Sequence, residues 1–370
     1  MSSYEHYDFR AVDRPLSAAQ REAVASLSSR AEVSARHAAF TYHYSSFRGD
    51  PEQLLATMFD AMLYVANWGL ELIFSMPVAS FDTGRAAPYL VAGLDSDRQG
   101  VWAKTIGDRV LLGIGLHELD LGWVEGEGWL EPMLPLREAL LQGDDRPLYL
   151  FWLGAFANGA FGLGDPERAG QRMPSVPAGM NELGEEHRIF ARRFGVRDGL
   201  LAAASQGSRP RQRAGDEQLV AVVESLAEAA RRQLLVRVGR GEHLEVHREL
   251  ARKAPERIGE ANVSSPSGQT LAELAEAAER WEVERQRQAE ATRLDELEAE
   301  QENLWTQVEA YLAREHPRYR EPVGILAQLH ELAKARGNPG AFAARLEKLE
   351  GFGRSPSFMK QLRDRGIVNG

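Results

Sequence analysis

The chain has 370 residues, 44% of them hydrophobic and 26% charged, a formal net charge of −10 and no cysteine. That excludes disulfides, thiolate metal sites, thiol nucleophiles and cysteine-held iron–sulfur clusters, and it argues against a surface that attracts phosphate as a whole. No run approaches the roughly 20 apolar residues of a membrane span, and the opening Met1-Ser-Ser-Tyr-Glu-His6 has neither the basic nor the apolar region of a signal peptide, so a cytoplasmic protein is expected.

Residues 4–12 alternate in the strand manner, with Tyr and Phe suited to a pleated face. Ser17 and Gln20 have capping-box spacing and open a helix to about residue 28. Residues 39–44 form a second aromatic strand. Asp50 as N-cap and Pro51 at the first helical position start another helix, whose apolar positions from Leu54 to Ala66 cover more than one stripe and which Gly69 would end. Residues 70–76 are a strand stopped by Pro77, and residues 101–104 and 109–115 form a hairpin through Gly107-Asp108.

From Trp129 the pattern turns helical. Helices are expected over 130–141, 147–157, 182–194 and 198–204, with a Gly- and Pro-rich loop over 159–178. A linker rich in Ser, Gly and Arg spans 205–215, followed by a helical pair over 217–238 and 242–253. Residues 270–313 contain no Gly or Pro and should form one very long helix. Its apolar seam runs through Leu271, Leu274, Ala278 and Trp281, stops over Glu284–Glu290, and resumes at Leu297, Leu304, Val308 and Tyr311. Two anchored ends with a solvated middle fit this pattern better than a continuous coiled coil. After His316-Pro317, a helix–turn–helix hairpin of tetratricopeptide size closes the chain. The expected class is α+β: an α+β domain over 1–125, a helical subdomain over 126–206, and a helical arm over 217–370.

Two stretches resemble known families. Tyr7-Asp-Phe-Arg-Ala-Val-Asp-Arg-Pro-Leu16, Phe59-Asp-Ala-Met-Leu-Tyr-Val-Ala-Asn-Trp-Gly69, Arg146-Pro-Leu-Tyr-Leu150 and Val176-Pro-Ala-Gly179 are similar to an uncharacterised family of bacterial proteins, which implies no activity. Residues 304–362, with Leu304-Trp-Thr-Gln-Val-Glu-Ala310, Tyr319, Leu326, Leu329 and Phe342, resemble the helical tail of bacterial SWIM-type zinc-finger proteins. The zinc motif itself needs three cysteines, so the resemblance implies a helical docking module and no zinc.

Several constellations could carry chemistry. His243 and His247 share a helical face at zinc-ligand spacing, but the intervening Glu245 is displaced from the zincin position and no third ligand is evident; surface histidines are the plainer reading, and no metal or cofactor is assigned. His6, His37 and His43 gather if the first two strands pair, with Asp8, Asp13 or Asp60 to orient an imidazole as general base. The competing reading is incidental histidines on aromatic strand faces. Asp60, Tyr64, Asn67 and Trp68 form a stripe on the expected helix, either a buried network or a partner surface, since Trp and Tyr favour interfaces. The arginines from Arg188 to Arg232, Arg192, Arg193, Arg211 and Arg213 among them, could meet nucleic acid or form a charged face that docks the acidic 295–302 segment.

The leading expectation is a non-enzymatic interaction subunit or adaptor of a bacterial cytoplasmic assembly, holding a protein partner through Tyr64, Asn67, Trp68, Trp281, Trp305 and Tyr311, with self-association also open. The alternative is a hydrolase-type or metal-dependent enzyme with a site near His37, His43 and Asp60. A weaker one is nucleic-acid binding.

Overall fold

Aromatic and β-branched alternation near the start of the chain becomes one long antiparallel sheet in a computed structural model, which describes residues 4–44, 47–92, 98–117, 119, 121–122, 124–159, 170, 172–211, 216–239, 246, 249–250, 268–314, 319–349 and 355–368. The strands are β1 (Tyr4–Arg10), β2 (Glu32–Val33), β3 (His37–His43), β4 (Ala61–Ala66), β5 (Gly69–Pro77), β6 (Val91–Ala92), β7 (Gly100–Ile106) and β8 (Arg109–His117). Their order is β2-β3-β1-β4-β5-β8-β7-β6, all neighbours antiparallel. With the helical remainder of the chain this is the expected α+β class.

The period of two assigns each strand residue to a face. One face carries Ala61, Leu63, Val65, Leu70, Leu72, Phe74, Leu112, Ile114 and Leu116, and the helices that follow the sheet cover it. These are α4 (Leu134–Leu141), α5 (Arg146–Ala157), α6 (Glu185–Arg193) and α7 (Asp198–Ala204). The apolar α5 is buried on every side, as a helix without a polar stripe must be. The other face carries Phe9, Phe40, Met62, Ile73 and Leu111 and is covered by α1 (Ala18–Ala25) and α2 (Pro51–Thr57). Both caps form as the sequence predicts: Ser17 and Gln20 complete a capping box, and Asp50 accepts from the Gln53 amide with Pro51 in the first turn.

The expected helix over 50–69 is half right. It ends at Thr57, and Ala61–Ala66 is the central strand β4, hydrogen-bonded to β1 and β5. A strand buried on both faces is a continuous apolar run, and such a run does not distinguish strand from buried helix by periodicity. Gly69 accordingly opens β5 instead of ending a helix. The helical pair expected over 217–238 and 242–253 is also redrawn: α8 (Asp216–Ser225) and α9 (Glu228–Gly239) both fall within the first stretch, and most of the second lies outside the described residues.

The chain divides into compact units at Met1–Trp281 and Glu282–Gly370. Helices of 126–206 share the core of the sheet, so the boundaries expected near 125 and 206 are not where the units separate. The long helix α10 (Leu271–Leu312) is continuous across the division. Its first turns place Leu271, Leu274 and Ala278 in the core of the first unit. In the second unit Leu304, Trp305 and Val308 of α10 pack with α11 (Arg320–Ala335), α12 (Pro339–Glu347) and α13 (Pro356–Asp364) around Leu326, Leu329, Phe342, Leu346, Phe358 and Leu362. Between these ends α10 is solvated and laced by short-range pairs such as Arg285–Glu282 and Arg293–Glu290.

Two sheet glycines set the shape of the polar region described next. A Cβ on Gly115 would lie 1.9 Å from the carbonyl oxygen of Arg98, and one on Gly113 would lie 2.5 Å from the Trp102 ring. Gly115→Ala is therefore expected to destabilise the chain by about 1–3 kcal/mol, as overpacking does, with the loss read from urea unfolding. A change under about 0.5 kcal/mol would mean that the Arg98 backbone yields freely.

Candidate functional site

Four groups of chemically capable side chains stand out among the described residues. The first links the two motifs of the N-terminal resemblance. Asp60, just before β4, accepts from the backbone amides of Val12 (2.7 Å) and Asp13 (2.9 Å) and from Arg109 (2.5 Å). Arg137 of α4 grips Asp13 with a two-pronged pair at 2.9 and 2.7 Å and donates from Nε to the Ser75 carbonyl. Burial pushes the Asp13 carboxyl up, but hydrogen bonds and charge from Arg137, joined by Arg109, outweigh it and hold the group below the usual range. Every strong acceptor here is occupied by a guanidinium or an amide, which is the arrangement of a structural clamp.

The second group is similar in kind. Arg146 donates to both oxygens of Asp144 and to the Glu182 carbonyl (2.9 Å), and Arg211 lies 3.1 Å from Asp144. Burial opposes ionisation of Asp144, and the arginines prevail, so its pKa is lowered. Arg146 and Gly179, from two further matched stretches, meet here.

The third group contains the histidines. The register pairs Tyr4 with His43, His6 with Thr41 and Arg10 with His37 on one face of β1 and β3, so the three imidazoles do share a face. His37 Nε2 lies 3.1 Å from Asp8 Oδ1, His6 Nδ1 is 2.9 Å from Thr41 Oγ1, and His43 packs on Tyr4. Burial lowers the His6 pKa, and its Nε2 has no hydrogen-bond partner. His37 and His43 sit at opposite ends of β3, and the hydrogen bonds of Asp60 belong to the arginine clamp. Among the described residues no group of three His, Asp or Glu is arranged to hold a metal. His243 and His247 lie outside the described residues.

On the opposite face, Tyr7 of β1, Tyr64 of β4 and Glu71 of β5 occupy one row. Tyr7 donates to Glu5 (3.3 Å), its ring centroid is 4.8 Å from that of Tyr64, and Arg98 forks Glu71 through Nε (2.9 Å) and Nη2. Burial pushes Glu71 up to about 7 despite Arg98, and it raises both tyrosines, with Glu5 and Glu71 adding to the rise at Tyr64. A carboxyl that titrates near neutrality can exchange a proton at physiological pH.

The fourth group lies wholly in the second unit. A groove of about 220 Å³ runs between the end of α10, α11 and the start of α12, lined by Trp305, Leu329, Leu332 and Phe342 and rimmed by Arg336 and Arg345. Arg345 lies 4.8 Å over the Trp305 ring. No family model, curated protein or solved structure matches this chain, so the two resemblances rest on the quoted residues alone.

The residues singled out from the sequence are dispersed. Tyr64 is in the strand row above, not on a helix; Asn67 and Trp68 form the β4–β5 turn, where Asn67 Oδ1 accepts from the Tyr4 amide (2.9 Å) and Trp68 is 39% exposed. The stripe through Asp60, Tyr64, Asn67 and Trp68 therefore does not exist as one surface of a helix. Trp281 is half-buried on α10. Tyr311 is half-buried with Arg314 over its ring, and Trp305 is 1% exposed in the core of the second unit. Arg192 pairs with Glu185, Arg193 donates to the Trp129 carbonyl and stacks on its ring, and Arg211 holds Asp144; Arg213 lies outside the described residues. The acidic segment expected to dock on those arginines pairs elsewhere: Asp295 and Glu298 with Arg336, and Glu302 with Arg345. The groove arginines gave no sequence signal, because single arginines in amphipathic helices are ordinary surface residues.

Proposed function

We propose that the protein is a non-enzymatic interaction subunit or adaptor of a bacterial cytoplasmic assembly, and that its second unit holds a protein partner. The observation that carries this reading is the groove of the second unit, where an aromatic and aliphatic floor meets two arginines, the composition of protein-interface hot spots. The acidic and basic clusters of the first unit support it from the other side, because their side chains are consumed in holding the sheet and helices together. Among the described residues no helix is long and apolar enough to cross a membrane.

The test is native purification of the tagged full-length chain, with mass by light scattering and cross-links mapped by mass spectrometry. The expected result is a complex of constant stoichiometry above the 41.1 kDa of one chain, cross-linked mainly through residues 282–370. A solitary monomer removes the proposal.

The catalytic alternative at His37, His43 and Asp60 has less support, since Asp60 is held by Arg109 and two amides. Binding of nucleic acid through Arg192, Arg193, Arg211 and Arg213 has less again, because the three described arginines already hold partners within the chain.

A further inference from the structure

We infer that the groove between α10, α11 and α12 receives an acidic peptide segment of the partner, one carboxylate side chain lying between Arg336 and Arg345 with an apolar neighbour on the Trp305–Phe342 floor. This rests on the interaction reading above and names its ligand. The volume decides the class first. At about 220 Å³ the groove is smaller than the 300–1,000 Å³ typical of sites for cofactors and drug-sized molecules, and suits one or two side chains.

The chemistry of the lining decides the charge. Arg345 already forks a carboxylate, Glu302, at 2.5 and 2.9 Å, and Arg336 holds Glu298 at 2.8 Å together with Asp295. These three acids project from the same helix, α10, into solvent: the Glu302 side chain is 78% exposed, and Asp295 and Glu298 are more than half exposed. Ion pairs with such exposed partners contribute little, so an incoming carboxylate exchanges for them at small cost. The planar guanidinium fork fits that exchange geometrically. A basic segment would instead meet two guanidiniums at the rim.

An independent observation lies on the floor. Trp305 is 1% exposed, and its indole Nε1 is buried with no hydrogen-bond acceptor. Buried donors are rarely left in that state, because the unpaired N–H has lost its water without compensation. Trp305 lines the groove, so an oxygen of an entering peptide supplies the missing acceptor. The neighbouring lining residues Gln301 and Asn338 add amide groups for the backbone of the same segment.

The experiment uses the full chain and a fluorescein-labelled helical peptide built from Leu, Ala and Glu, with its Gln counterpart as control, read by fluorescence anisotropy. Saturable binding of the Glu peptide is expected, weakened about tenfold or more for the Gln peptide and for the Arg336→Glu/Arg345→Glu variant, whose substitutions fall on the groove rim. Trp305→Phe keeps a ring on the floor and removes the N–H; binding should fall about fivefold while the thermal midpoint stays or rises. Equal binding of both peptides, or binding indifferent to the charge reversal, overturns the inference, as does no saturable binding at millimolar peptide. The wider reading fails separately. If the native complex survives in the Arg336→Glu/Arg345→Glu variant, the groove assignment is lost and the interaction reading stands; a chain that purifies alone yet binds the Glu peptide as described has the reverse meaning.

Discussion

Replacing Arg137 with Ala is expected to cost about 3–5 kcal/mol, the loss that follows when one partner of a buried ion pair is removed and the other charges stay behind. Arg137 is fully buried; it grips Asp13 through both terminal nitrogens, donates to the Ser75 carbonyl and approaches Asp60 at 3.3 Å. The truncated side chain leaves Asp13 without its main counter-charge and the Ser75 oxygen short of a donor. It also removes the tie between α4 and the sheet edge. Urea unfolding of the two proteins side by side checks this, and a loss below about 1 kcal/mol would show that Arg109 alone satisfies both aspartates. The acid limb gives a second check. Because the folded-state pKa of Asp13 is lowered, its contribution is complete above about pH 4 and is lost as the pH falls further, so the penalty of Arg137→Ala should shrink in acid.

A second large effect belongs to Glu71. Burial raises its pKa from 4.5 to about 7, so the folded chain keeps a proton that the unfolded chain releases. More protons bound in the folded state means that stability falls as pH rises, and the window runs from about 4.5 to about 7, with a plateau above. The full excursion is on the order of 3 kcal/mol. Glu71→Gln retains shape and hydrogen bonding without the titration, so it should match the wild type near pH 4 and become more stable than it near pH 8. His6 acts in the opposite sense: burial lowers its pKa, and its contribution is lost as pH falls below about 6.5. Taking the difference between wild type and Glu71→Gln cancels that term. A difference that is flat from pH 5 to 8 would show that Arg98 keeps Glu71 ionised throughout.

Both predictions concern side chains whose importance no local pattern announced. Asp13 and Asp60 are 47 positions apart, and Arg137 lies 124 positions from Asp13. Only strand order brings them together. Glu71 is an acid in an apolar strand, which by itself signals either a functional group or a paired one. The residue that decides between them, Arg98, stands beside it because Gly115 leaves room for the Arg98 backbone over β8. The partner-facing residues chosen for their type alone fared unevenly for the same reason. Trp68 is exposed at a turn, whereas Trp305 is enclosed by Phe342 and Arg345.

What the sequence determined by itself was local. The Ser17–Gln20 and Asp50–Pro51 caps, the β7–β8 hairpin across Gly107-Asp108 and the long helix free of Gly and Pro each follow from chemistry between near neighbours in the chain. The α+β class follows from the switch between two periodicities. Tertiary structure decided the rest. The run from Ala61 to Ala66 became a central strand because β1 and β5 offer it hydrogen bonds on both edges and helices cover the sheet on both faces, a choice that an apolar hexamer does not encode alone. The groove likewise exists only where α10, α11 and α12 meet: each helix needs just its own apolar stripe to fold, while the pairing of Trp305 with two rim arginines is a property of their packing together.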